Sequence, residues 1–325
     1  MERLAKDVKK KRVLFKEFGV LLALVLLCII ISVMVPEFLN PANLINILQQ
    51  ISISFIIAVG MTFVILTGGI DLSVGSIVAV SGFIMAMLSK DAGLPVLSVI
   101  LIGMLFGLLM GLVNGLLVAK VKLPAFIATL GMMSVLRGVV YTLSGGQTIF
   151  DLNEGILAFA GDVFGFLPIP VIFVAIVFIA AAYILKYTKI GRHTFAVGGN
   201  EVASKLSGIN VDKVKIFVYT IAGFFCSLSS VLLLAKLNAA TPTAGDGYEM
   251  EAISAVVIGG TSMSGGSGSV LGTLLGALII GVIANGMNLL GITQGPQQIV
   301  KGAIIVLAVA LDVVRKTSLE RKGAK

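Results

Sequence analysis

The chain has 325 residues, 58% of them hydrophobic and only 12% charged, against roughly 25% charged in a soluble domain. A core of this length cannot hide that much apolar surface from water, so a water-soluble fold is excluded and lipid must solvate much of it. The net charge of +8 does not point to nucleic acid, because the basic residues sit beside apolar stretches in the positive-inside pattern of a membrane protein.

The basic run Lys9-Lys10-Lys11-Arg12 precedes an apolar stretch from Gly19 to Val35. That stretch is long enough to cross a bilayer and no A-x-A site follows it, so it reads as a retained first helix rather than a cleaved signal. At about 20 apolar residues per crossing, spans are expected near 18–35, 44–67, 72–89, 95–119, 125–143, 169–185, 215–237, 250–261, 269–290 and 297–314. The eighth is short, which suggests a broken or re-entrant helix. The expected fold is therefore an all-α polytopic membrane protein of about ten transmembrane helices.

Charge sets the orientation. With the N-terminus inside, segments 1–17, 68–71, 120–123, 186–214, 262–268 and 315–325 are cytoplasmic, and with Lys215 they hold 20 of the 24 Lys and Arg residues. The outer segments hold eight acids: Glu37, Asp91, Asp151, Glu154, Asp162, Asp246, Glu249 and Glu251. Both termini are thus expected in the cytoplasm. The chain divides into a basic N-terminal segment (1–17), a transmembrane domain (18–314) with a cytoplasmic loop at 186–214, and a basic tail (315–325). Lys90, Arg137, Lys236 and Lys301 are the exceptions. Lys236 and Lys301 fall near outer helix ends. Arg137 lies 13 residues into its helix, about 20 Å of rise, and is expected to snorkel outward. No carboxylate is expected at the midplane of any span, where ion-coupled transporters usually carry one.

Two glycine stripes at four-residue spacing, Gly103-Gly107-Gly111-Gly115 and Gly268-Gly272-Gly276, let helix backbones approach closely, within the subunit or at an interface. One internal repeat is visible. Gly68–Ser76 and Gly259–Ser267 both read G-G-x-x-apolar-S-x-G-S, and repeated halves are common in transporters. Cys28 and Cys226 lie in apolar runs and imply no disulfide framework. The sequence contains no G-x-x-x-x-G-K-[ST] phosphate loop, no metal-ligand cluster, and a single histidine, His193. An enzyme reading has little to stand on, and no cofactor is expected on this chain.

The longest cytoplasmic loop carries the clearest site signal. It runs from Lys189 through Gly198-Gly199-Asn200 to a short segment Glu201–Ser207 closed by Gly208. Asn200 suits a helix N-cap, Glu201 the positive helix start, and Gly208 the position after the end. Such a short helix is marginal alone in water and needs a buttress, either its own subunit or a cytoplasmic partner.

Gly60–Ser76, Gly198–Asn210, Pro242–Glu249, Ala255–Ser262 and Asn285–Gly291 resemble the permease family of ABC importers for ribose and related sugars. The resemblance covers about 36–312. It implies a subunit that pairs with a second copy and docks a cytoplasmic ATP-binding subunit carrying the ATP and magnesium. It also implies an extracytoplasmic sugar-binding protein that delivers a small-molecule sugar, and a place in the bacterial inner membrane. The family's coupling segment is similar to Gly191–Gly208, which makes Gly191, Arg192, Gly198, Gly199, Asn200, Glu201, Ser204, Lys205 and Gly208 the candidate coupling residues. A neutral sugar needs hydroxyl and amide partners, so Asp71, Ser73, Asn114, Ser262, Ser264, Asn285 and Asn288 are candidates for the path, with helix–helix hydrogen bonding as the competing role. Asp246, Tyr248 and Glu249, with the outer loop Ser144–Pro168, are candidates for docking the binding protein or a plain solvated face. The rival functions are a permease for branched-chain amino acids, an ATP-independent secondary transporter or channel, and a membrane scaffold.

Overall fold

A computed structural model describes residues 2–91 and 94–323, with side chains at 17–90 and 94–310. The side chains of the basic termini, apart from Glu17, thus lie outside the described residues. Helix α1 (Glu2–Met34) leads through a short 3-10 turn into α2 (Pro41–Leu66), α3 (Val74–Asp91), α4 (Val96–Ala119) and α5 (Ala125–Ser144). Strand β1 (Ile149–Phe150), helix α6 (Glu154–Leu157), and strands β2 (Asp162–Val163) and β3 (Leu167–Pro168) follow. Then come α7 (Ile169–Tyr187), α8 (Lys189–Gly199), α9 (Glu201–Leu206), α10 (Val211–Leu237), β4 (Ala239–Ala240), α11 (Tyr248–Ile258), α12 (Val270–Leu289) and α13 (Gln294–Gly323). The ten expected spans map onto α1–α5, α7 and α10–α13. Among the described residues seven helices, α1, α2, α4, α5, α7, α10 and α12, are long and apolar enough to cross a membrane.

The strands are two-residue pairings at one end of the bundle. β1 pairs antiparallel with β4, Ile149 opposite Ala240 and Phe150 opposite Ala239. β2 and β3 form their own hairpin. Helices α8 and α9 lie at the other end, the α8 end.

Helices α2, α10 and α12 form the interior, and nearly every α2 residue from Ile51 to Leu66 is buried. Helices α1, α4, α5 and α7 turn large apolar side chains outward, among them Ile29, Leu97, Leu105, Val135 and Ile179. That inside-out pattern suits a lipid solvent, which does not penalise exposed aliphatics.

Both glycine stripes are used inside the subunit. A Cβ on Gly107 would lie 2.5 Å from the Ser227 Cβ, and one on Gly111 2.3 Å from the Tyr219 carbonyl oxygen. Helix α4 therefore lies against α10 with backbones almost touching. The second stripe does the same for α12 on α11, where a Gly276 Cβ would fall 1.9 Å from the Ala255 carbonyl oxygen. Hydroxyls add cross-helix bonds: Ser229 Oγ donates to the Ile53 carbonyl (2.9 Å), Ser230 Oγ to Val78 (2.9 Å), and Thr62 meets Thr273 (2.7 Å).

The chain between α10 and α11 departs from the sequence expectation. From the β1–β4 pairing it folds inward, and the Gly245 backbone meets Gly75, the second residue of α3; a Gly75 Cβ would lie 2.2 Å from the Gly245 oxygen. Gly245 (φ +72°) and Gly247 (φ +84°) supply the left-handed turns this needs. Helix α11 then starts partway down the bundle. Its 11 residues cover only about 16 Å before the α8 end is reached.

This geometry corrects two expectations. Arg137 does not snorkel outward: Nη1 donates to the carbonyls of Pro242 (2.6 Å) and Ala244 (3.0 Å), and Nη2 lies 2.5 Å from Asp246 Oδ1. The inward-folded segment brings these acceptors to it. A carboxylate is also present at mid-depth. Glu251 accepts from Ser54 Oγ (3.1 Å) and pairs with Lys301, and Ser54 is the fourteenth of the 26 residues of α2. Hydropathy counting places Glu251 at a helix end only because it assumes a helix that begins at the surface.

Candidate functional site

At the α8 end, two turns and one helix terminus meet. Helix α2 stops where Gly68, at φ +78°, lets its amide reach the Ile65 carbonyl (2.8 Å) and that of Gly69 reach Val64 (3.2 Å). Helix α11 stops in the same way at Gly260 (φ +85°), with the Gly260 amide on Val257 (2.9 Å) and the Thr261 amide on Val256 (3.1 Å). The repeated Gly-Gly segments thus serve one local purpose, displaced by one residue in register. The two turns touch, and the Gly266 amide donates to the Leu66 carbonyl (2.9 Å).

The last turn of α8 packs into this junction. A Cβ on Gly198 would sit 1.8 Å from the Leu66 oxygen and 2.6 Å from the Gly266 nitrogen. Gly191, at the other end of α8, is pressed on α7, where its Cβ would fall 2.2 Å from the Ile184 oxygen. Gly199, by contrast, has open space on its Cβ side. Thr188 Oγ1 caps α8 by accepting from the Gly191 amide (3.1 Å), and Asn200 Oδ1 caps α9 by accepting from Ala203 (2.9 Å). Gly208, at φ +82°, closes α9: its amide donates to Lys205 (3.1 Å) and that of Ile209 to Ser204 (3.0 Å). Ser204 is buried against the subunit, and Glu201 pairs with Lys215 of α10 at 2.8 Å. Arg192, Glu201 and Lys205 are exposed. So are the apolar Val202 (70%) and Leu206 (85%). Nearby, Lys120 and Lys122 bond Asp212 at 3.1 and 2.6 Å. These bonds, Lys122 foremost, hold the Asp212 carboxyl below the usual carboxylate range.

The seven polar path candidates do not converge; they fall into three groups. Asp71, Ser73 and Asn114 are fully buried and bonded to one another. Asp71 Oδ1 accepts from the Ser73 amide (2.9 Å) and hydroxyl (2.6 Å), and Asn114 Nδ2 donates to Ser73 Oγ (2.7 Å). Asn285 forms a reciprocal amide pair with Asn43 (2.8 and 3.0 Å), joining α12 to α2, and Asn288 accepts from Gln297 (2.7 Å). Ser262 and Ser264 lie in the turn after α11, Ser264 exposed. Asp246, Tyr248 and Glu249 form part of the inward fold beside Arg137 and Gly75.

Residues 43–309 match the family model described as branched-chain amino acid transport system / permease component. The chain belongs to this permease family of ABC transporters. It is 46% identical over 312 residues to the ribose import permease protein of Bacillus subtilis (strain 168), covering 94% of this chain and 97% of that protein. It is 47% identical over 302 residues to the ribose import permease protein of Escherichia coli (strain K12), 90% of this chain and 92% of that one. It is 38% identical over 284 residues to the fructose import permease protein of Rhizobium meliloti, 85% and 79% of the two chains. No solved structure matches. The permease is accordingly a multi-pass protein of the inner membrane and a transport subunit.

Sequence reasoning on the permease missed the partners of Arg137, Glu251 and Lys301. The available signal was that Arg137 and Lys301 broke the charge rule. A cation that breaks it needs a carboxylate or carbonyl at its own depth.

Proposed function

We propose that this permease moves a small sugar, ribose or a closely related monosaccharide, by alternating access through a conduit formed with a second copy. Movement is powered by a separate cytoplasmic ATP-binding subunit that carries the ATP and magnesium, and substrate arrives on an extracytoplasmic sugar-binding protein. The α8 end faces the cytoplasm, as does each terminus.

One observation carries the coupling role. Gly198 sits on the joined ends of α2 and α11, while the adjoining α9 leaves Val202 and Leu206 exposed. An apolar pair at 70% and 85% exposure on a capped six-residue helix suits a partner cleft. Movement of that partner then reaches two helix ends at once. The coupling set Gly191, Arg192, Gly198, Gly199, Asn200, Glu201, Ser204, Lys205 and Gly208 divides by role. Arg192, Gly199, Glu201 and Lys205 face outward and meet the partner. Gly191, Gly198 and Ser204 seat the segment on its own subunit, and Asn200 and Gly208 cap α9. The likeness to ribose and fructose import permeases supports a sugar as substrate. The outer loop 144–168 is the surface that receives the binding protein. For Asp246, Tyr248 and Glu249, depth in the bundle favours a conduit role over docking.

The test is uptake into vesicles. Permease, ATP-binding subunit and sugar-binding protein together should concentrate labelled ribose when ATP is supplied, and omission of any one should abolish it. Concentration of leucine in place of monosaccharides would overturn the sugar assignment. Accumulation by the permease alone would overturn the ATP-driven mechanism.

A further inference from the structure

The Arg137–Asp246 pair lies at a depth where a charge facing lipid is costly. Arg137 is the thirteenth of 20 residues in α5, about 18 Å from the Ala125 end of the helix. Its guanidinium is largely covered, at 19% exposure, and is spent on two carbonyls and one carboxylate oxygen. Asp246 differs. Its side chain is 58% exposed, and one oxygen on Arg137 leaves the other with free acceptor positions. Thr243, Gly247 and Met250 beside it are exposed as well. The face opposite Arg137 on α5, carrying Val135 at 60% exposure, is apolar and suits lipid. The Asp246 face must instead meet water.

We propose that Asp246 is a solute-contacting residue of the conduit, offering its free carboxylate oxygen to sugar hydroxyls, and that Arg137 is the residue that positions it. This rests on the proposed monosaccharide transport and adds the place of contact. Arg137 fixes the segment at three points, so the carboxylate is presented on a preformed turn whose Gly245 backbone lies close against Gly75.

The test uses the complete importer in vesicles, in a background of Cys28→Ser and Cys226→Ala. Thr243→Cys and Met250→Cys should react with a charged, membrane-impermeant thiol reagent at least about ten-fold faster than Val135→Cys, whose side chain is at similar depth. Labelling of all three at one slow rate would overturn the water-facing assignment. Asp246→Asn should raise the ribose concentration for half-maximal uptake about ten-fold, the value of one hydrogen bond to a charged group. Affinity of the sugar-binding protein for ribose should not change. Unaltered uptake kinetics would overturn the solute contact, and if Asp246→Asn fails to assemble, protection of Met250→Cys by ribose decides in its place. Wild-type uptake of ribose with silent cysteines defeats only this inference, whereas absence of wild-type uptake defeats the transport reading.

Discussion

Gly266 donates its amide to the carbonyl of Leu66 at 2.9 Å, tying the turn after α11 to the end of α2, and Gly198 of α8 lies against both partners. Three chain segments far apart in sequence meet there through backbone alone. Gly198→Ala would put a Cβ 1.8 Å from the Leu66 oxygen, a contact relieved only by moving α8. Uptake is expected to fall at least about ten-fold with normal membrane insertion, a misplacement cost of the size a 1 Å shift can bring. Gly199→Ala adds a Cβ to open space and should leave folding and insertion unchanged. Equal effects on insertion and uptake from the two substitutions would show that close packing at Gly198 is not what matters.

Val202 and Leu206 stand exposed on α9. Val202→Ser with Leu206→Ser should leave the folding stability of the isolated permease within about 0.5 kcal/mol of the parent, the range of surface substitutions. Retention of the ATP-binding subunit should drop at least about ten-fold in a pulldown. Loss of thermal stability without loss of retention would reassign these side chains to the subunit's own packing. Glu201→Ala breaks only an exposed pair with Lys215 at 2.8 Å, and its expected effect lies in coupling of ATPase to uptake rather than in stability.

Glu251 and Lys301 hold each other at mid-depth with little solvent. Lys301→Met should destabilise the permease by about 1–3 kcal/mol, below the 3–5 of a fully buried pair because both groups retain some exposure. Adding Glu251→Gln should restore most of the loss, since a neutral amide does not need the cation. A detergent melting series on the two variants reads this directly, and a double variant no better than the single one would refute an electrostatic origin.

Asp212 carries a pH dependence of definite sign. Lys122 and Lys120 lower its carboxyl pKa in the folded protein. Their contribution is therefore fully present above the unfolded carboxylate value and disappears as pH falls through the folded one. The pair is partly solvated, so the contribution is about 0.5–1 kcal/mol. Asp212→Asn should lower the melting midpoint at pH 7 and converge with the parent as the pH falls below the usual carboxylate range. A difference independent of pH would mean that the lysines act by packing alone.

Much of this was legible in the sequence because lipid makes it so. Apolar runs of crossing length, and cations gathered at one set of their ends, follow from the cost of charge and bare backbone in hydrocarbon, and they gave the helical membrane fold directly. The caps of α9 were equally readable, since Asn200 and Gly208 act on backbone a few residues away. What stayed hidden depended on partners distant in the chain. The inward fold at Pro242–Gly247 is a polar, glycine-bearing loop to any local reading. Gly75 and Arg137, both distant in the chain, help hold it deep in the bundle. Nor could residue type show that Asp71, Ser73 and Asn114 satisfy one another, or that Asn285 is engaged by Asn43.

Helix α11 runs from the turn beside Arg137 to the turn that rests on Gly198. A hydrogen-bonded rod of 11 residues hardly shortens or bends under load, so its two ends move as one body. Push or tilt it at the base and the end beside Arg137 shifts by a comparable amount within the same event. Such a strut needs no chain of rearranging side chains between its two ends. The message is carried by stiffness, and its fidelity depends on how tightly the glycines at each footing let the backbone seat.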